Sequence, residues 1–87
     1  MGRPELRVHA TYSNGAYGAR WSVRQVLEIA RCADNPDAEC VTYKVLAGLH
    51  RRACHTVSRS DFLRWMKYEV VCHETHWLRV GGKESGP

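Results

Sequence analysis

Thr56-Val57-Ser58-Arg59-Ser60-Asp61-Phe62-Leu63-Arg64-Trp65-Met66 decides the fold, because here the chain passes from the end of a strand into a capped amphipathic helix. Ser58 with Asp61 three residues on matches a capping box: the hydroxyl accepts a first-turn N–H, and the acid complements the positive end of the helix. Val57 and Phe62 stand at the two positions of a hydrophobic staple. Phe62, Trp65, Met66 and Val70 make one apolar stripe, with Arg64 and Lys67 outside it, so the spacing predicts a helix over 59–71. Upstream, Cys54-His55-Thr56-Val57 reads as a brief strand. Val41, Tyr43, Val45 and Ala47 alternate with Thr42, Lys44 and Leu46, the pattern of a half-buried strand over 40–47, and Gly48 ends it.

Working further outward, residues 20–31 fit two periods. As a helix, Val23, Val26, Leu27 and Ala30 form a stripe behind Ser22 and Gln25. As a strand, Trp21, Val23, Leu27 and Ile29 share a face that Gln25 interrupts. The Trp, Val and Ile content and the strand at 40–47 favour the second reading. Leu6, Val8 and Ala10 alternate as a short edge strand, and Tyr12 to Gly18 is a turn-rich loop in which Asn14-Gly15 is a hairpin signal. Its two tyrosines, Tyr12 and Tyr17, fit exposed contacts or packing over the sheet edge equally well. Ala33 to Ala38 connects, with Pro36 stopping either element. Trp77 to Val80 reads as a last strand, and 81–87 as a disordered tail. The expected architecture is one α+β domain over 1–80. A curled antiparallel sheet of three to five strands, SH3-like in form, packs against one C-terminal helix. The expected core is Trp21, Val23, Leu27, Val41, Tyr43, Val45, Phe62, Trp65 and Met66.

Composition sets the partner class. A chain of 87 residues buries roughly 60–65% of its unfolded surface, so eight aromatic residues carry much of a small core. The net charge of +4 favours an anionic partner, although charge alone equally fits simple solubility. The N-terminus Met1-Gly2-Arg3-Pro4-Glu5 is polar with no apolar run behind it, so no secretory signal is expected. No stretch approaches the ~20 apolar residues of a membrane span. A cytoplasmic setting follows as the expectation. There the four cysteines read as buried small hydrophobes or metal ligands rather than cross-links.

Three constellations bear on chemistry. Cys32, Cys40, Cys54, His55, Cys72, His73 and His76 include zinc-ligand types, but no C-x2-C spacing occurs; Cys72 and His76 fall one turn apart if the helix continues through them. Buried thiols with surface histidines are the preferred reading, a zinc-stabilised module the alternative. A disulfide between Cys32 and Cys40, flanking the Pro36 turn, would close a nine-residue loop, and the cytoplasmic expectation argues against it. Cys54 and His55 are adjacent, so on a strand they point to opposite faces and form no dyad. No catalytic residue, no cofactor and no enzyme activity are therefore expected. The third constellation is basic: His50, Arg51, Arg52, His55, Arg59, Arg64 and Lys67 form the candidate binding surface, with Arg20, Arg24 and Lys44 extending it along the outer sheet face. An ordinary solvated face is the competing reading. No helix-turn-helix, ribbon-helix-helix or zinc-finger pattern supports sequence-specific readout.

The series Gly18-x-x-Trp21-x-Val23-x-x-Val26, then Val41-x-Tyr43, then Ser58-Arg59-x-x-Phe62-x-x-Trp65 resembles small phage and prophage accessory proteins, mostly families of unknown function. The resemblance spans Gly18 to about Val70, and this chain carries a longer insertion at 32–40. It transfers no active site. It implies a role class: a stoichiometric binder that blocks a host machine such as a CRISPR effector, a restriction system or a transcription factor, or a nucleic-acid-binding regulator. The expected partner is thus a host protein or ribonucleoprotein complex with an acidic or nucleic-acid surface, or DNA or RNA itself, and no membrane. A free edge strand also offers pairing of two copies into a homodimer, which the sequence leaves open.

Overall fold

The computed structural model describes residues 5–16 and 18–80; Tyr17 and the tail expected over 81–87 lie outside the described residues. The elements are β1 (Thr11–Ser13), a short 3-10 turn (Gly18–Arg20), β2 (Val23–Arg31), β3 (Glu39–Ala47), β4 (Cys54–Ser58), α1 (Arg59–Trp65), β5 (Tyr68–His73) and β6 (His76–Arg79). The six strands form one sheet in the order β4-β3-β2-β1-β5-β6, antiparallel throughout. The architecture is therefore α+β. The strands β1 to β4 wind as a meander. α1 then carries the chain back across the sheet, and β5 pairs with the far side of β1.

The start of the helix follows the sequence reading. Ser58 is the N-cap in extended conformation, and its Oγ accepts the Asp61 N–H at 3.1 Å. Asp61 turns its carboxylate to Arg64 one turn on. The end does not follow it. α1 stops at Trp65, and Tyr68–His73 is a strand, so the helix lies mid-chain rather than at the C-terminus. The aromatic and β-branched residues Tyr68, Val70 and Val71 suit a pleated surface, and β1 has an open side to receive them. Val70 consequently faces Thr11 across the β1–β5 ladder instead of extending the helical stripe.

Tyr12, Val26, Val41, Tyr43, Val45, Phe62 and Met66 form the core, with Ile29, Val57, Leu63 and Trp65 packed against it. Three expectations are corrected here. Leu6-Val8-Ala10 is not a strand; the strand is Thr11–Ser13, so Tyr12, expected in a loop, is fully buried in mid-sheet. Its hydroxyl donates to the Glu5 carbonyl at 2.7 Å and accepts the Arg7 N–H at 2.8 Å, which satisfies a polar tip in an apolar site. Trp21 precedes β2 and is only half-buried. Leu27 is 37% exposed, because the register against β3 slips between Val26 and Glu28 and leaves Leu27 as the extra residue of a β-bulge. Val26 and Ile29, not Leu27, thereby reach the core side.

Register also sorts the connections. Ser13 faces Val23 and Tyr68, and Val23 faces Ala47. The 14–22 loop, the 48–53 turn and the α1–β5 junction therefore share one end of the sheet. Cys40 faces Ser58 and Arg31 faces Glu39, which puts the 32–38 turn and the start of α1 at the other end. Gly48 fastens the first end. Its φ is +99°, and a Cβ there would lie 2.4 Å from the Trp21 carbonyl oxygen. Gly48→Ala is expected to cost about 2 kcal/mol or more from strain and collision, read as a lowered urea midpoint; an unchanged midpoint would show that this close approach does not exist.

Candidate functional site

The β3–β4 turn is built to expose cations. Arg52 donates its N–H to the Val45 carbonyl at 2.7 Å, Val45 donates to Ala53 at 2.9 Å, and Ala53 donates to His50 at 3.0 Å. This tight closure requires positive φ at Gly48, at His50 (61°) and at Arg52 (79°), and it leaves His50, Arg51 and Arg52 exposed. Lys44, Val45, Leu46, Arg51 and Arg52 line an open depression of about 350 Å³. Among the described residues, none of the three cations lining it is ion-paired.

The remaining expected binding residues are dispersed. His55 lies on β4 opposite Tyr43, with ring centroids 5.8 Å apart. Lys67 occupies the α1–β5 junction, its N–H bonded to the Ser13 carbonyl at 2.9 Å, and so shares the sheet end of the turn. Arg59 lies at the opposite end, 3.4 Å from Glu39, and Arg64 is paired with Asp61 on the helix. The nine residues of β3 span roughly 26 Å, which separates Arg59 from the turn. The structure thus gathers Arg51 and Arg52 with Lys44, and sets His50 in the same turn.

Arg24 is not on the outer face. It pairs with Tyr12 on one side and Val45 on the other, both of them core residues, so its side chain stands on the core side of the sheet. Its guanidinium carbon lies 4.2 Å from the Tyr43 ring centroid and 3.9 Å from that of Trp65. Burial lowers its pKa from the ordinary arginine value, partly offset by the Tyr43 phenol. Such contacts contribute about 0.5–2 kcal/mol each, more as the cation is desolvated. The sequence signal for this placement was the spacing Val23, Val26, Ile29, which breaks strict alternation and marks an irregular strand.

Comparison with known proteins gave no match to a family model, to a curated protein or to a solved structure.

The Cys/His set does not converge. Cys32 and Cys40 are joined as a disulfide with Cα atoms 5.0 Å apart, which corrects the expectation of unlinked thiols. The turn between them holds these two strand ends in place: Cys32 donates to Ala38 at 2.9 Å, Ala38 donates to Asn35 at 3.0 Å, and Arg31 reaches the Pro36 carbonyl at 2.7 Å. Cys54 and Cys72 are exposed rather than buried. Cys54 faces Lys44 and His55 faces Tyr43, on opposite sides of β4. Cys72, His73 and His76 lie on the β5–β6 hairpin. Among the described residues no three His, Cys, Asp or Glu side chains come together as metal ligands. No helix among them is long and apolar enough to cross a membrane.

Proposed function

We propose that this chain is a small non-enzymatic binding protein of the phage-accessory kind, acting stoichiometrically from a cytoplasmic setting by docking on the nucleic-acid surface of a host complex and blocking it. The observation that carries this reading is the depression at the β3–β4 turn, where Lys44, Arg51 and Arg52 converge with no carboxylate paired to them among the described residues. Cations without intramolecular partners gain most from repeated phosphates, because each phosphate neutralised releases condensed counterions. His50 at the tip of the turn and Lys67 at the same end of the sheet extend the surface, and His55 lies on β4 against Tyr43. Arg59 and Arg64 already have carboxylate partners and contribute less. An SH3-like reading of the sheet is part of the proposal. It is supported by the strand order β4-β3-β2-β1-β5 with the helix between β4 and β5.

The test is binding of the purified chain to fluorescent single-stranded RNA and duplex DNA at graded salt. The expected Kd is about 1–100 μM at physiological salt, with log K falling against log salt at a slope of roughly −2 to −3 for three contacts. Arg51→Glu/Arg52→Glu is expected to weaken binding at least tenfold and to flatten the slope by about two. Both side chains are exposed, so thermal stability should be unchanged. No binding up to the upper end of that range would dismiss nucleic acid as the partner, and capture of an acidic protein by the same residues would move the reading to a protein surface.

A further inference from the structure

Among the described residues, the guanidinium of Arg24 has no carboxylate partner. Tyr43 and Trp65 flank it within 4.2 Å. Its Nε is shut off from solvent and has no hydrogen-bond partner. The residue as a whole is only partly buried, and no hydrogen bond joins its two terminal nitrogens to another described residue. The acid on the same cross-strand row is Glu69, which lies beyond Tyr12 on β5 and is engaged with Arg7; Asp61 and Glu39, toward the other end of the sheet, are paired with Arg64 and Arg59. A guanidinium held against two rings has little further freedom to lose, and Nη1 and Nη2 of an arginine carry parallel N–H groups matched to two oxygens of one anion.

We propose that Arg24 is an oxyanion-recognition residue, held in orientation by Tyr43 and Trp65, and that it takes one phosphate of a nucleic-acid strand end-on through Nη1 and Nη2. This rests on the proposed nucleic-acid partner and adds a second, more selective contact to it. Val45, which faces Arg24 across the β2–β3 ladder, is also a wall of the basic depression. A polymer with repeated phosphates can engage the depression and Arg24 together, whereas an isolated carboxylate can engage only one of them. His55, beside Tyr43, adds no negative charge there. The depression supplies unoriented charge; Arg24 supplies a fixed geometry, which a lysine cannot copy because it neither stacks flat nor binds two oxygens in parallel.

The experiment is a heteronuclear NMR titration of the full isotope-labelled chain with short oligothymidylate, with inorganic phosphate and with poly-glutamate. The Arg24 Nε–H and Trp65 indole N–H resonances are expected to shift with oligothymidylate, together with the amides of 48–53. Inorganic phosphate should shift Arg24 and Trp65 weakly and in the same direction. Arg24→Met, which keeps the stem of the side chain, is expected to lower oligothymidylate affinity about tenfold, and Arg24→Lys should not restore it. If the 48–53 amides move while Arg24 and Trp65 stay still, Arg24 is a packing residue and this inference fails, though the nucleic-acid reading stands. If nothing moves with oligothymidylate, both fail. If only poly-glutamate shifts Arg24 and Trp65, the residue recognises carboxylate and the phosphate assignment is overturned. The wild-type titration decides the matter even where a variant folds poorly.

Discussion

Phe62→Ala is expected to leave the chain without a cooperative fold at room temperature, or close to that limit. Phe62 is fully buried where α1 crosses the sheet. Its ring meets Tyr12 edge-on at 6.0 Å, Tyr43 at 5.6 Å and Trp65 at 5.4 Å between centroids. It therefore ties the helix to β1 and β3 at once, and it backs the two rings that hold Arg24. Truncation of a buried Phe costs about 3–5 kcal/mol, lost transfer energy plus the cavity left behind. A domain of this size has roughly 4–13 kcal/mol in all, and each kcal/mol moves Tm by about 4–8 °C. Urea and thermal melts followed by circular dichroism should show a Tm at least ~12 °C lower, if a transition survives. Phe62→Leu, which keeps most of the volume, should cost under about 1.5 kcal/mol. An alanine variant within about 1.5 kcal/mol of wild type would mean that Phe62 is not the centre of the core.

The second large effect concerns the Cys32–Cys40 cross-link. Closing a nine-residue loop removes denatured-state freedom worth about 2.5 kcal/mol in the chain-entropy account. Cys32→Ser/Cys40→Ser should therefore lower stability by about that amount, and a mild reductant should lower the wild-type melting point while leaving the double serine variant where it was. Equal responses of the two proteins to reductant would show that the cross-link does not form. The turn it closes lies at the opposite end of the sheet from the basic depression, so oligonucleotide binding should be unaffected. The same bond makes the chain a reporter of its compartment. Reducing surroundings favour the dithiol and oxidising ones the disulfide, so thiol alkylation of freshly lysed cells tests the proposed cytoplasmic setting directly.

Legibility in the sequence divides by range of interaction. The start of α1 was readable because its determinants are local: the Ser58 hydroxyl reaches only three residues along the chain. The strand at β3 was readable because Val41, Tyr43 and Val45 alternate without interruption. The end of α1 was not, since residues 66–71 satisfy the helical stripe equally well and only the open side of β1 decides between the two. β1 was hidden for a similar reason. Three residues make no period, and Thr11 to Ser13 becomes a strand only because β2 and β5 flank it. On the functional side, the exposed basic turn was legible as a run of charge behind a glycine. Arg24 was not, because the register against β3 shifts immediately before it and again after Val26, and these shifts are part of what determines how β2 presents its side chains.

By itself, then, the sequence determined a small α+β domain, the capped helix start, the central strand and an excess of positive charge concentrated after Gly48. These follow from local periodicity, caps and composition, which act within a few residues. Tertiary structure alone decided that the helix ends after two turns, that Tyr12 sits in mid-sheet, that Cys32 reaches Cys40, and that Arg24 rests between Tyr43 and Trp65. The physical reason is common to all four. Each depends on which strand pairs with which, and in what register, and a shift of one residue in that pairing moves a side chain from one face of the sheet to the other.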